Sequence, residues 1–281
     1  MRKERENMVG TLGKEIRMER LFGDDGRMVA IMFDHAIARG VLPGLEHVGE
    51  KIQQAAGGYP DAMSMQKGLA GAYFHGCAGK HISLILKATS PSPYDKGYAA
   101  VLADVDEAIS YGADAIAVGC ILGGREQAKG MEQAAAIVAK ANRAGIPVIG
   151  HFYPNGETIP VSERENVENV LYASRAGAEI GIDVLKIHHS GDPDELARIV
   201  AGVPAKIVLA GGSHGKCLRD YLQMARNTVE AGAAGVAFGR VVWSHEDPAA
   251  LTAALRMIVH DNKTVDEALD MLSERMKMSL K

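Results

Sequence analysis

Short apolar runs alternate with longer stretches of helical periodicity along almost the whole chain. Met28–Phe33, Ala62–Met65, Ile82–Leu86, Ala115–Val118, Pro147–Tyr153, Val184–Ile187, Ile207–Leu209 and Gly235–Phe238 are the short runs. Each is closed by polar or glycine-containing turns, as expected of a strand buried on both faces. Between them, Val101, Leu102, Val105, Ala108 and Ile109 recur at helical spacing, as do Met131, Ala134, Ala135, Val138 and Ala141. Ser162-x-x-Glu165 and Asp192-Pro193-x-Glu195 predict helix starts, the second with proline at the first helical position. Gly112, Gly145, Gly181 and Gly232 each precede a strand, where a glycine ends the helix and redirects the chain. Strands alternating with helices imply a parallel sheet, and eight such units favour closure. The expectation is a single α/β domain, a (β/α)8 TIM barrel over 27–281, preceded by a helical N-terminal extension over 1–26. Helical pattern from Pro248 onward leaves surplus helix for packing or subunit contacts.

The polar residues change this picture from a scaffold to a site. The run Gly181-Ile-Asp-Val-Leu-Lys-Ile-His-His189 carries a lysine among apolar strand residues. An unpaired ammonium is costly to bury, and burial favours the neutral amine that attacks carbonyls. An ion-paired or snorkelling structural lysine is the competing reading. The other strands favour chemistry. Asp34 closes strand one, Lys67 strand two, Lys87 strand three, Tyr153 strand five and Lys186 strand six. Active sites of such barrels sit at these strand ends. Side chains alternate along a strand, so Ala30, Met32 and Asp34 share a face, as do Ser83, Ile85 and Lys87, and Ile149, His151 and Tyr153. Val184, Lys186 and His188 form a fourth such set.

Strands seven and eight run into Ala210-Gly-Gly-Ser-His-Gly215 and Gly239-Arg240. Glycines let backbone N–H groups approach an anion, and a phosphate site after these two strands recurs in such barrels. Gly211, Gly212, Ser213, Gly239 and Arg240 are therefore candidate phosphate ligands, with tight turns alone as the alternative. His35, His151 and His188 are expected to converge as polar core or substrate contacts rather than as a metal site. His188 and His189 point to opposite faces of a strand and no carboxylate is arranged among the histidines. Ser213 lacks the surroundings of a hydrolase nucleophile.

At 281 residues and 47% hydrophobic content the chain can bury one large core. A net charge of -4 supplies no basic footprint for nucleic acid or an anionic membrane. Cys77, Cys120 and Cys217 fit neither a zinc spacing nor a disulfide framework. No secretion signal or membrane span is visible, so a cytoplasmic protein is expected.

Phe33-Asp-His, Gly40-Val-Leu-Pro-Gly-Leu45, Tyr153-Pro-Asn-Gly156 and Asp183-Val-Leu-Lys-Ile187 carry a resemblance. Ser190-Gly-Asp192, Ala210-Gly-Gly212, Gly239-Arg240 and Ile258-Val-His260 continue it. From about Gly13 to Leu272 the chain resembles the archaeal-type class I fructose-bisphosphate aldolases of the DeoC/FbaB family and their relative, 2-amino-3,7-dideoxy-D-threo-hept-6-ulosonate synthase. The resemblance implies a Schiff base on Lys186, Tyr153 as general acid/base, and Asp34 assisting proton transfer. It implies substrate phosphate on Gly211, Gly212, Ser213, Gly239 and Arg240, no metal or cofactor, and a homo-oligomer built on pentamers, decamers included. His35, Lys67, Lys87, His151 and His188 are expected to bind the rest of the substrate, with Lys67 and Lys87 lowering the Lys186 pKa. Ala36 stands where the family usually has glycine, and His151 where its bisphosphate aldolases carry a bulkier aromatic. The expected reaction is reversible cleavage of fructose 1,6-bisphosphate to dihydroxyacetone phosphate and glyceraldehyde 3-phosphate. The ulosonate synthase reaction, a phosphosugar-binding barrel without turnover, and a metal-dependent isomerase or aldolase are the alternatives.

Overall fold

The computed structural model describes residues 12–188, 192–212 and 217–279. Eight parallel strands close into a barrel: β1 Met28–Met32, β2 Ala62–Met65, β3 Ser83–Lys87, β4 Ala115–Ile121, β5 Val148–Tyr153, β6 Val184–Ile187, β7 Lys206–Ala210 and β8 Gly235–Phe238. Each pairs with its sequence neighbours, and β1 meets β8 through Met28↔Gly235 and Ile31↔Phe238. This is the (β/α)8 TIM barrel that the alternation predicts.

Alternation along each strand divides the apolar residues between two cores. Ala30, Met32, Ala62, Ile85, Ala115, Ala117, Ile149, Val184, Val208 and Ala237 fill the barrel. Val29, Ile31, Met63, Leu84, Leu86, Val118, Leu185 and Ile207 face the helices outside. Many of the interior residues are alanine, which leaves space for larger groups from the ends. At the end where the strands begin, that space is taken by Met18, Leu21 and Phe22 of the segment around helix Leu12–Leu21. The N-terminal helix is thus the bottom stopper of the barrel. Lys14 holds it there, 2.8 Å from Asp183 Oδ2 and buried with it.

Gly145 and Gly181, at φ 66° and 100°, end their helices in the left-handed region that a side chain disfavours. Two helix starts differ from expectation. The helix after β3 begins at Val105, because Asp104 and Glu107 form a capping box there, while Ala100–Val101 pair antiparallel with Thr89–Ser90. The helix after β5 begins at Val167, where Asn166 accepts from Glu168 N. Val161–Glu163, within the expected Ser162 start, form only a 3-10 turn after Pro160. In helix Gln127–Ala144 the buried stripe includes Ile137 rather than Ala135. Helix Pro248–Val259 is buried along much of its length and carries helix Val265–Ser279 against it. Among the described residues no helix is long and apolar enough to cross a membrane.

Candidate active site

The ends of the strands open on a cavity of about 640 Å³. Asp34 follows β1, Lys87 ends β3, Gly119 and Ile121 come from β4, His151 and Tyr153 from β5, and Lys186 from β6. All of these line it, together with His35, His188, Gly211, Gly212, Gly239 and Arg240. Parity brings the strand residues together: Asp34, Lys87, Gly119, Ile121, His151, Tyr153 and Lys186 each follow, at two-residue steps, an interior residue of their own strand. Ser213 lies outside the described residues, as does His189.

Lys67 does not join them. Ala62 and Ser64 face the barrel interior, so the next inward position is Gln66, and Lys67 points the other way. It is part-exposed and bonded to Glu107 Oε1 at 2.6 Å. Its expected place among the substrate contacts and its expected effect on Lys186 are both corrected by this single step of parity.

Loops supply what strand periodicity could not reveal. Arg39 comes from the short helix Ala36–Arg39, Lys96 from the loop after β3, and Arg164 from the loop after β5. With Lys87, Lys186 and Arg240, six cations line the cavity, and Asp34 is the one carboxylate among the described lining residues. The only signal for Arg164 was its place inside the Ser162-x-x-Glu165 stretch, which looked helical. The cavity suits an anion of more than one charge.

Burial and charge set the protonation of these groups. Lys186 is lowered from the ordinary lysine value, chiefly by burial and further by Arg39 and Arg240, while Asp34 opposes. Burial also brings Lys87 down to about 8, with Asp34 opposing and Lys186 assisting. For Asp34, burial alone would raise the pKa, but Lys186, His35 and Lys87 outweigh it and the carboxylate stays ionised. Burial, then the Asp34 charge, drives Tyr153 well above the usual phenol range, so it holds its proton. His35 falls to about 4, from burial first and then the lysine and arginines, against Asp34. His151 falls well below the usual value by burial, Lys87 and Lys186.

Packing fixes the rings. Tyr153 lies 4.6 Å from the His188 ring and 5.9 Å from that of His151, centroid to centroid. His35 stands edge-on to Trp243 at 5.6 Å. A Cβ on Gly239 would lie 2.5 Å from His35 Cε1 and 2.9 Å from the Met32 carbonyl oxygen, so only glycine admits that ring here. Arg240 Nη2 donates to the Gly212 carbonyl at 2.6 Å, tying the β7 and β8 loops together. Among the described residues no group of three or more side chains is placed to hold a metal ion.

A buried lysine of lowered pKa beside a carboxylate, with a protonated tyrosine in the same cationic barrel mouth, defines an enzyme that uses an amine nucleophile on an anionic carbonyl compound. Comparison with known proteins narrows the class. The profile of the DeoC/LacD family aldolases matches residues 28–245. The 2-amino-3,7-dideoxy-D-threo-hept-6-ulosonate synthase of Halobacterium salinarum is 32% identical over 260 residues, covering 92% of this chain and 95% of its own. The solved structure of a Schiff-base-forming fructose-1,6-bisphosphate aldolase matches with a TM-score of 0.80 at 28% identity, over 88% of this chain and 100% of that one. An archaeal fructose-1,6-bisphosphate aldolase, with its catalytic lysine covalently bound to the carbinolamine intermediate, matches at 0.80 and 27%, over 88% and 99%. The chain belongs to the DeoC/LacD aldolase family. It is a lyase of the Schiff-base class, in which the protein's own lysine supplies the electron sink.

Proposed function

We propose that Lys186 is the imine-forming lysine and that the substrate is a phosphorylated ketose, fructose 1,6-bisphosphate, made and cleaved reversibly. The assignment of Lys186 rests on its burial, its lowered pKa, the Asp34 charge acting on it, and its position on β6, paired with the β5 strand that carries Tyr153 into the same cavity. Lys87 shares the first two features, but it stands on β3, separated from the Tyr153 strand by β4, whereas β6 pairs directly with β5.

In the condensation direction, neutral Lys186 Nζ adds to the carbonyl of dihydroxyacetone phosphate. Tyr153 gives its proton to the hydroxyl that leaves as water, so an iminium and a phenolate stand side by side. The phenolate takes a proton from the adjacent carbon, and the iminium becomes an enamine. The enamine attacks glyceraldehyde 3-phosphate while the phenol returns the proton to the aldehyde oxygen. Hydrolysis of the new iminium frees the ketose and restores the lysine. Asp34, held ionised, balances the iminium charge.

The observation that favours a bisphosphate is the arrangement of cations around the mouth. Arg39, Arg240 and the glycines follow β1, β7 and β8, which adjoin one another; Lys96 and Arg164 follow β3 and β5, across the barrel. Two anionic ends on one ketose would meet both sets. The ulosonate synthase reaction is the second reading, favoured by the 32% identity to that enzyme, and it uses the same imine.

Borohydride reduction with fructose 1,6-bisphosphate or dihydroxyacetone phosphate, followed by peptide mass spectrometry, tests the proposal. A reduced adduct on Lys186 is expected. An adduct on Lys87 would move the nucleophile, and no adduct with either ligand would remove the bisphosphate reading.

A further inference from the structure

His151 has no part in the steps above, yet it is buried beside them at 6% exposure, and its Nε2 has no hydrogen-bond partner. A buried polar atom left without a partner is costly, so such an atom facing a cavity points to a ligand group. Among the described residues, three buried side-chain polar atoms on cavity-lining residues lack a partner: His35 Nδ1, Tyr153 Oη and His151 Nε2. Tyr153 Oη carries the moving proton. His35 is packed between Trp243 and Gly239, on the side of the β7 and β8 glycine loops. His151 occupies a different place.

The ladder locates it. The β5–β6 pairing ends at Gly150↔Leu185, so the next residues along, His151 and Lys186, stand side by side. On the other flank His151 is opposite Gly119. A Cβ at Gly119 would stand 3.6 Å from both Lys87 Nζ and the His151 carbonyl oxygen, so at this level β4 places no side chain between β3 and β5. Tyr153 is two residues further out on the same face of β5. An imine on Lys186 would therefore have His151 as its lateral neighbour and Tyr153 above it. Burial and the two lysines keep the imidazole neutral, so it exchanges no proton with the reaction. A neutral imidazole nitrogen still hydrogen-bonds a hydroxyl in either tautomer, because a hydroxyl both donates and accepts.

We infer that His151 is a specificity-determining residue: its Nε2 reads the hydroxyl on the carbon beside the imine, the carbon that becomes nucleophilic. The inference rests on the Lys186 imine and extends it to substrate choice. The site then favours ketoses hydroxylated at that carbon and rejects deoxy analogues, which would leave Nε2 buried and unpaired.

The test compares imine trapping by borohydride for dihydroxyacetone phosphate and for acetol phosphate, which lacks that hydroxyl. Trapping rate at limiting ligand is read by mass spectrometry on the Lys186 peptide, so no aldehyde partner enters. The native protein is expected to trap the hydroxylated ligand about 10- to 100-fold more efficiently. His151→Phe should bring that ratio to within about threefold of unity, chiefly by losing efficiency with the hydroxylated ligand. His151→Gln, which returns an amide to the same region, should recover part of the ratio and guards against a folding defect in the first variant. Adducts at Lys186 with no discrimination in the native protein, or with discrimination unchanged in His151→Phe, would overturn the inference and leave the imine reading intact. No adduct from either ligand would remove dihydroxyacetone phosphate as the imine-forming substrate, and the inference with it.

Discussion

Lys14→Met measures how firmly the N-terminal helix belongs to the barrel. Lys14 Nζ donates to Asp183 Oδ1 and Oδ2 at 2.9 and 2.8 Å, with both side chains under a tenth exposed. Asp183 Oδ2 also accepts from Val148 N at 2.9 Å, so one carboxylate joins the helix to the starts of β5 and β6. Methionine keeps the apolar stem and loses the ammonium, leaving Asp183 buried with a backbone donor and no counter-charge. Removing one member of a buried pair costs about 3–5 kcal/mol. At about 2.1 cal/mol/K per residue, a chain of 281 residues unfolds with about 0.6 kcal/mol/K, so Tm should fall by about 5–8 °C. Thermal and denaturant melts of the native protein, Lys14→Met, Asp183→Asn and the double variant give the cycle. With asparagine at 183 there is no stranded charge, so Lys14→Met should cost less than about half as much in that background. Lys186 trapping, at the other end of the barrel, should survive in the folded variant. A loss below about 1 kcal/mol, or an equal loss in both backgrounds, would refute the reasoning. The helix would then be held by Met18, Leu21 and Phe22 alone.

Asp34→Asn should act in two directions at once. The Asp34 carboxylate is the charge that raises the Lys186 pKa against burial and the arginines, so its removal lowers that pKa and moves the pH profile of borohydride trapping to the acid side. Turnover should fall by about 10²-fold or more, because the iminium loses its counter-charge; a profile displaced toward alkali would contradict the assignment. Gly239→Ala places a methyl 2.5 Å from His35 and 2.9 Å from a backbone oxygen, so about 1–3 kcal/mol of stability and a raised substrate KM are expected from melts and steady-state kinetics. Replacing Lys96 and Arg164 together by alanine should raise KM for the bisphosphate more than for a ketose monophosphate, whereas Lys67→Ala should change neither; equal effects on both substrates would count against a second phosphate between the first two.

Much of this protein follows from its amino-acid order. Parallel strands buried on both faces stand out as short apolar runs, and a polar residue at the end of such a run is conspicuous. Since alternation is local and strict, Asp34, Lys87, His151, Tyr153 and Lys186 could be placed on inward faces before any fold was seen. The same rule, counted from Ala62, would have chosen Gln66 over Lys67; proximity to the strand end was the weaker guide. Helix starts at Asp104 and Asn166 were decided by capping side chains that compete with nearby alternatives of similar pattern. Arg39, Lys96 and Arg164 belong to short or irregular segments, where no period tells which way a side chain turns. The stopper role of Met18, Leu21 and Phe22 depends on the vacancy left by interior alanines drawn from strands far apart in the chain. So does the electrostatics of Lys186, whose neutral amine is favoured by burial and by arginines from opposite ends of the sequence. Local alternation is encoded residue by residue, but desolvation and charge proximity exist only once the barrel has closed.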